Sequence, residues 1–178
     1  MNPRVVGLDL SLTSTGIATP AGVYRVTSKG SRGDTLIQRQ ERLNRLLLRI
    51  MELTHEADLA VIEQPAYSRT QGSQHDRSGL WWLVVDALLY RSVTVVEVAP
   101  TARARYATGR GNAGKDEVLA AVVRRYPNAT INGNDEADAY VLMAMGLDCL
   151  GCPVVEVPKA HREALDKVAW PEVPRGDV

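Results

Sequence analysis

Residues 4–12 read RVVGLDLSL, a short apolar run that contains a single acid. The length and composition of this run predict a buried β-strand. Because side chains alternate along a strand, Val5, Gly7 and Asp9 share one face, whereas Val6 and the leucines share the other. We therefore expect the Asp9 carboxylate to project from a buried strand beside small neighbours.

The segments that follow this strand predict a mixed α/β fold in layers. In chain order we expect two weaker strands within residues 13–28, a helix at 34–57, a strand at 59–65, a polar loop at 66–79, a helix at 80–90, a strand at 92–100, a basic connection at 101–115, a helix at 116–127 and a last long helix from residue 134. No internal repeat or linker divides the chain. We expect one domain over residues 1–150 and a partly irregular extension over 151–178.

The composition excludes several classes of protein. The chain has 178 residues, 45% hydrophobic and 24% charged, as in an ordinary soluble domain. Its 21 basic and 21 acidic residues balance, so nucleic acid would have to be bound through local basic patches. There is no apolar run of about 18 residues, no signal peptide and no disulfide framework. We expect a cytoplasmic protein that does not bind a membrane.

Asp135 and Asp138 open the last long helix, and their spacing of three residues places both carboxylates on one helix face. Two interpretations fit this pair. The acids could cap the helix and interact favourably with its positive N-terminal dipole, or they could bind a cation. Taken by itself, the pair favours capping.

Two further acids lie in predicted buried strands. Asp9 is inside the first strand and Glu63 lies near the end of a later one, without a basic residue beside either in its strand. A buried carboxylate is costly without a cation or strong hydrogen bonds. If the two strands are neighbours and the last helix crosses them, four carboxylates converge. Oxygen ligands favour Mg²⁺ or Mn²⁺, and two such ions about 4 Å apart can activate water for phosphodiester hydrolysis.

Four motifs, in this order and spacing, resemble the RuvC family of Holliday-junction resolvases, which belong to the ribonuclease H-like superfamily. They are GLDLSLTSTGIA (7–18), VIEQPAYSRTQG (61–72), GRGNAGKDEV (109–118) and NDEADAYVLM (134–143). The resemblance implies a ribonuclease H-like sheet with three antiparallel strands and then parallel strands. Leu10 and Ser11 depart from the common Asp-Pro-Gly turn after the first aspartate, which fits a divergent, phage-type member.

The resemblance also implies an active site. The family's metal-binding acids fall on Asp9, Glu63, Asp135 and Asp138, and its loop lysine falls on Lys115. The implied cofactor is Mg²⁺, replaceable by Mn²⁺, with two ions per site. The implied activity is that of a homodimer that makes two symmetric nicks in branched DNA, in a bacterial or phage-infected cell.

The segment at residues 100–115 contains four basic side chains, three glycines and no acid. We expect a flexible connection that becomes ordered on DNA; a solvated surface loop is the alternative. GRGNAGK (109–115) matches two nucleotide-binding patterns, but Asp116 follows where the Walker pattern needs Ser or Thr, and no strand leads directly into the loop. We therefore expect no nucleotide cofactor. The predicted DNA contacts are Tyr67, Arg69, Arg103, Arg105, Arg110 and Lys115.

The helix at residues 80–90 has more apolar surface than one core face needs. Core packing alone could account for it, whereas the resemblance implies a dimer interface on this helix. We assign Trp81, Trp82 and Leu88 to that interface.

The predicted activity is thus metal-dependent resolution of Holliday junctions or other branched DNA. Two alternatives remain open. One is a nuclease that acts on flaps, forks or single strands, and the other is a non-catalytic junction-binding or packaging scaffold with the same fold. Nicking of a labelled junction after addition of Mg²⁺ would separate the enzyme from the scaffold.

Overall fold

A computed structural model describes residues 3–65 and 74–171 of the chain. One five-stranded sheet, with the strand order β3-β2-β1-β4-β5, forms its centre. The strands are β1 (Val5–Asp9), β2 (Ser14–Thr19), β3 (Gly22–Thr27), β4 (Leu59–Glu63) and β5 (Thr94–Val98). Strands β1, β2 and β3 pair antiparallel, whereas β4 runs parallel to both β1 and β5. The mixed sheet predicted from the sequence is confirmed.

Helices cover both faces of this sheet. In the described ranges they are α1 (Leu36–Leu53), α2 (Gln74–Tyr90), α3 (Pro100–Thr108), α4 (Lys115–Arg125), α5 (Asn134–Cys149) and α6 (Lys159–Arg162), followed by a 3-10 turn at Leu165–Lys167. Within residues 3–65 and 74–171, no helix is long and apolar enough to cross a membrane.

The segment at residues 100–108 corrects one prediction, because it is the helix α3 and not a flexible connection. Pro100 lies in its first turn, where the missing N–H costs nothing. Gly109, with φ of 85°, ends the helix in the left-handed conformation that glycine adopts most easily.

The start of α2 corrects a second prediction, because the helix begins at Gln74, inside the segment predicted as a polar loop. Asp76 in its first turn forms an ion pair with Arg39 of α1. A carboxylate in the first turn of a helix also interacts favourably with the helix dipole.

The sheet separates two hydrophobic cores. Val5 points into the core that β1 shares with α3, α4 and α5. Val6 and Leu8 point into the core on the opposite face, against α1 and α2. This alternation is the one that the sequence of β1 predicts, and it leaves Asp9 on the α5 side of the sheet.

Helix α5 crosses the sheet in direct contact with the backbone of β1 and β2. A Cβ atom on Gly7 would lie 2.0 Å from the carbonyl oxygen of Ala139, and one on Gly16 would lie 1.9 Å from that of Asp135. Neither position has room for any residue larger than glycine. The two glycines therefore bring the acidic start of α5 down onto the end of β1.

The segment after α5 packs back onto the same core. Ala164 and Val157 are buried among residues of α3, α4 and α5. Asp148, which is also buried, accepts hydrogen bonds from the Tyr106 hydroxyl at 2.9 Å and from Arg162 Nε at 3.0 Å. Residues 151–171 thereby fix α3 against the end of α5.

Candidate active site

Two acids lie side by side at the C-terminal ends of adjacent parallel strands. Asp9 ends β1 and Glu63 ends β4. The pairing of Leu8 with Ile62 in these strands places the two acids in register on neighbouring strands. Both follow the alternation that leads toward α5, so their side chains share one face of the sheet.

The first turns of α5 bring two more acids to this edge. Asp9 pairs with Gly16 across β1 and β2, and Gly16 touches the backbone of Asp135. Asp138 lies one turn further along α5 and is only 2% exposed. Gly133 is the N-cap residue and makes no side-chain capping hydrogen bond. Capping of α5 therefore does not explain why Asp138 is buried.

A buried arginine joins acids from both elements. From α3, Arg103 donates its Nε to a carboxylate oxygen of Glu63 and its Nη1 to one of Asp138. The three side chains are 8%, 15% and 3% exposed, respectively. Arg103 was predicted to contact DNA. In this arrangement its guanidinium is instead buried and paired with two carboxylates.

Burial and mutual repulsion make two of the acids unusually weak. Burial, together with the negative charges of Glu63 and Asp138, raises the pKa of Asp9 to about 8 against the opposing effect of Arg103. Burial also raises the pKa of Asp138, to about 6, against the opposing effect of Arg103. A shift in this direction marks carboxylates that are crowded in a poorly solvated place. Such perturbed acids are common at functional sites.

The raised pKa of Asp9 predicts a pH-dependent stability of the metal-free protein. The pKa of Asp9 rises from 3.8 to about 8 on folding. The stability that this acid contributes is fully present below about pH 4 and is lost progressively as the pH rises from about 4 through about 8. Without divalent metal, the temperature at the midpoint of thermal unfolding should therefore decrease as the pH is raised from about 5 to about 8. Asp9→Asn should flatten this slope, as measured by calorimetry in EDTA. Equal slopes for the two proteins would show that Asp9 is not the acid whose raised pKa causes the pH dependence.

The chemistry of this donor set fits a hard divalent cation. Asp9, Glu63, Asp135 and Asp138 offer only oxygen atoms, which Mg²⁺ and Mn²⁺ prefer, and a cation would relieve their repulsion. In the part of the chain that the structure describes, however, no three acidic, histidine or cysteine side chains are arranged to hold an ion together. Arg103 already takes one oxygen of Glu63 and one of Asp138.

Three of the four acids line a cavity of about 500 Å³. Lys115, the first residue of α4, lines it together with Asp9, Glu63 and Asp135, and its positive charge lowers the pKa of Asp138. Trp81 also lines the cavity, and its indole nitrogen donates to the Glu63 carbonyl at 3.0 Å. The structure thus brings Lys115 to the acids, as the sequence predicts, and adds Trp81 to the wall of the cavity.

Two of the predicted DNA contacts, Arg105 and Arg110, do not line this cavity. Arg105 forms an ion pair with Glu163 at 2.7 Å, and exposed Arg110 pairs with Glu117. Tyr67 and Arg69 lie outside the described residues.

The three predicted interface residues on α2 do not share one surface, because Trp81 lines the cavity at the acids. Trp82 is 64% exposed, whereas Leu88 is fully buried in the core of α1, α2 and the sheet. The assignment of Leu88 to a dimer surface is therefore wrong. Helix α2 is apolar nearly all round, and its sequence does not show which side faces the sheet.

Arg42 of α1 is a residue that the sequence did not mark for this site. Its Nη2 donates to the Leu12 carbonyl at 2.6 Å and its Nε to the Ser28 hydroxyl at 2.8 Å. These bonds hold the turn that follows Asp9 against the end of β3. The sequence does not single out Arg42, because it belongs to a regular row of basic residues on α1 and nothing in its local sequence distinguishes it from the others.

Solved structures of Thermus thermophilus RuvC share the fold of this chain. RuvC in complex with a Holliday junction substrate gives a TM-score of 0.64 at 18% identity, over 84% of this chain and 97% of that chain. A second structure of the same RuvC gives 0.64 at 19% identity, with the same coverage. No protein-family model and no curated protein matches the sequence. The RuvC-like fold implied by the four motifs is confirmed.

Proposed function

We propose that this chain, which has a RuvC-like fold, is a divalent-metal-dependent endodeoxyribonuclease that resolves Holliday junctions or related branched DNA. The observation that carries this proposal is the convergence of Asp9, Glu63 and Asp138, together with the open cavity that Asp9, Glu63 and Asp135 line. Buried like charges destabilise a fold unless a ligand or partner compensates them. One of the structures with this fold was solved with a Holliday junction substrate.

The residues of the site have separate parts in the proposed reaction. When bound, divalent ions supply the activation of the attacking water and the neutralisation of charge on the phosphodiester. Asp9, Glu63, Asp135 and Asp138 would hold two such ions, as the resemblance implies. Lys115 lies at the start of α4, where the helix dipole is positive, and it would stabilise the negative charge of the phosphate that enters the cavity.

A homodimer is part of this proposal, because two active sites related by a twofold axis would match the symmetry of a four-way junction. Helix α2 offers a surface for the partner. Trp82 and Leu89 lie seven residues apart on it and are 64% and 56% exposed, and Leu83 and Tyr90 form a second such pair. Large apolar side chains that are grouped on one exposed helix face are typical of an interface.

Trp82→Glu should therefore dissociate the proposed dimer, because it places a charge in the middle of an apolar contact. Light scattering during size-exclusion chromatography should give a mass near 19.4 kDa for the variant and twice that for the parent chain. Val123→Glu is the matched control, since Val123 is also an exposed apolar residue, at 47%, but lies on α4. A parent chain that is monomeric, or a Trp82 variant that stays dimeric, would refute this interface.

The direct test of the activity compares three labelled substrates in Mg²⁺: a four-way junction, a flap and a plain duplex. The proposal predicts paired nicks at symmetric positions in the junction, none in EDTA and weak binding of duplex, because the chain has no net charge. Preferential cutting of the flap would instead indicate a flap nuclease.

A non-catalytic junction-binding scaffold is the second candidate, and one observation favours it. Arg103 forms ion pairs with both Glu63 and Asp138 and offsets part of their negative charge, so these two acids could serve the fold without a metal. Tight binding of the junction without nicking, in Mg²⁺ and in Mn²⁺, would support the scaffold and refute the nuclease.

A further inference from the structure

We propose that Arg103 is a built-in counter-cation of the carboxylate cluster, and that a divalent ion must displace it from Glu63 and Asp138 in order to bind them. This inference rests on the metal-dependent function proposed above and adds a residue that sets the affinity for the metal. It follows from the position of one guanidinium between acids that come from two different elements.

A metal ion and Arg103 are both positively charged, so they compete for the oxygens of Glu63 and Asp138. Arg103 takes one oxygen of Glu63 and one of Asp138, and the three side chains are almost completely buried. A metal ion that used these oxygens would be brought close to the guanidinium, and two cations in a poorly solvated site repel each other strongly. Removing the guanidinium without a replacement would leave two unpaired buried carboxylates, which is also costly. The cluster is therefore expected to hold either Arg103 or the ion at these oxygens.

The guanidinium cannot avoid this competition by losing its proton. Arginine keeps its proton throughout the accessible pH range, and the two carboxylates that pair with Arg103 favour the charged form further. Arg103 is therefore a permanent positive charge, in contrast to a histidine or lysine that could become neutral when a metal ion binds.

The backbone around Arg103 is held in place by contacts that α3 makes with α5 and with the C-terminal segment. The Tyr106 hydroxyl donates to Asp148 at 2.9 Å, and Arg105 pairs with Glu163 of the C-terminal segment at 2.7 Å. Ala102 and Ala107 are buried against the core. A metal ion is thus expected to displace the Arg103 side chain by rotation about its own bonds, while α3 stays where it is.

The competition has a measurable consequence for the metal-free and metal-bound forms. Arg103 should make the metal-free fold more stable, because it compensates the acids, and should make metal binding weaker, because part of the binding energy is used to displace it. A chain without this charge should show the opposite on both counts: a less stable metal-free fold and tighter binding of the ion.

The test is calorimetric titration of Mn²⁺ into the full chain and into Arg103→Met, with thermal unfolding in EDTA measured in parallel. Methionine keeps much of the length and apolar stem of arginine but removes the charge. We expect Arg103→Met to unfold at a lower temperature in EDTA and to bind Mn²⁺ with a Kd at least about tenfold lower. Arg124→Met, at an exposed arginine in the last turn of α4 and outside the cluster, should leave the Mn²⁺ affinity unchanged.

A second variant covers the case in which Arg103→Met does not fold without metal. Refolding of that variant when Mn²⁺ is added would support the proposal, because the ion then replaces the missing charge. If the variant stays unfolded, Arg103→Lys decides: lysine keeps one charge but cannot bridge two carboxylates with a planar fork, so its Kd should be lower than that of the parent. A Kd equal to or higher than the parent value in the folded variant overturns the inference.

The proposed function and this inference fail in different ways. If the parent chain nicks junctions in Mn²⁺ but Arg103→Met binds the ion no more tightly, only the role of Arg103 is refuted. If neither protein binds Mn²⁺ and the parent does not nick the junction, the metal-dependent nuclease is refuted, and the role of Arg103 with it.

Discussion

Asp138→Asn is expected to abolish nicking of a four-way junction in Mg²⁺ while leaving junction binding intact. Asparagine has the shape of aspartate and can still accept the hydrogen bond from Arg103, so the fold should be kept. It lacks the negative charge that a divalent ion needs in its ligands, and it binds such ions weakly. We expect the rate of nicking to fall roughly a thousandfold or more.

Binding and stability separate this effect from a general loss of structure. Asp138 is buried and offers no surface to DNA, so the Kd for the junction should change by less than about threefold. Asp166→Asn is the matched control, because Asp166 is an exposed acid in the C-terminal 3-10 turn and not part of the cluster. Rates should be measured under single-turnover conditions and binding by electrophoretic mobility in Ca²⁺. Normal nicking by Asp138→Asn would refute the site.

The sequence was most informative where the local pattern alone determines on which face a side chain lies. Asp9 was placed correctly on the face opposite Leu8, because successive residues of β1 point alternately into the two cores on opposite faces of the sheet. The carboxyl ends of parallel strands meet at one edge of a sheet, so Glu63 at the end of β4 could be expected near Asp9 once the two strands were taken as neighbours. For the sheet and this pair of acids, pattern and geometry agree.

Helix α3 was missed although its ends carried readable signals. Pro100 at its start and Gly109 after its end are a frequent pair of helix boundaries. Its buried residues are mostly alanines, however, and alanine gives little contrast to a hydrophobic pattern. The arginines between them suggested a solvated segment, since arginine is rarely buried unless it is paired. Helix propensity was the better guide here, because alanine and arginine both favour a helix.

The partner of Arg103 could not be read from the sequence, because the contact joins distant segments. Arg103 is 40 residues from Glu63 and 35 from Asp138. The sequence did show that Asp9 and Glu63 needed a cation and that neither had one beside it in its strand. It could not show that an arginine from α3 supplies that charge, since this depends on how α3 packs against α5.

Gly7→Ala is expected to have the largest effect on folding, because the new methyl group has no space. It would lie 2.0 Å from the carbonyl oxygen of Ala139 and 2.5 Å from the backbone nitrogen of Met143. These are backbone atoms of a central helix, which cannot rotate away as the end of a side chain could. Overpacking of a core costs about 1–3 kcal/mol even when side chains can adjust, so we expect a loss of at least about 3 kcal/mol of unfolding free energy.

The same substitution should also damage the site, and this connects the packing of α5 to the chemistry. A shift of α5 away from β1 would relieve the clash, but it would also move Asp135 and Asp138 away from Asp9. Any folded fraction of Gly7→Ala should therefore bind Mn²⁺ more weakly than the parent chain. Gly33→Ala is the control, since a Cβ atom there would meet nothing within 4 Å. It should keep or slightly raise the stability, because alanine restricts the unfolded chain. Denaturant unfolding would measure the free energy of unfolding of both variants. If Gly7→Ala is as stable as the parent chain, α5 does not lie on β1 as described.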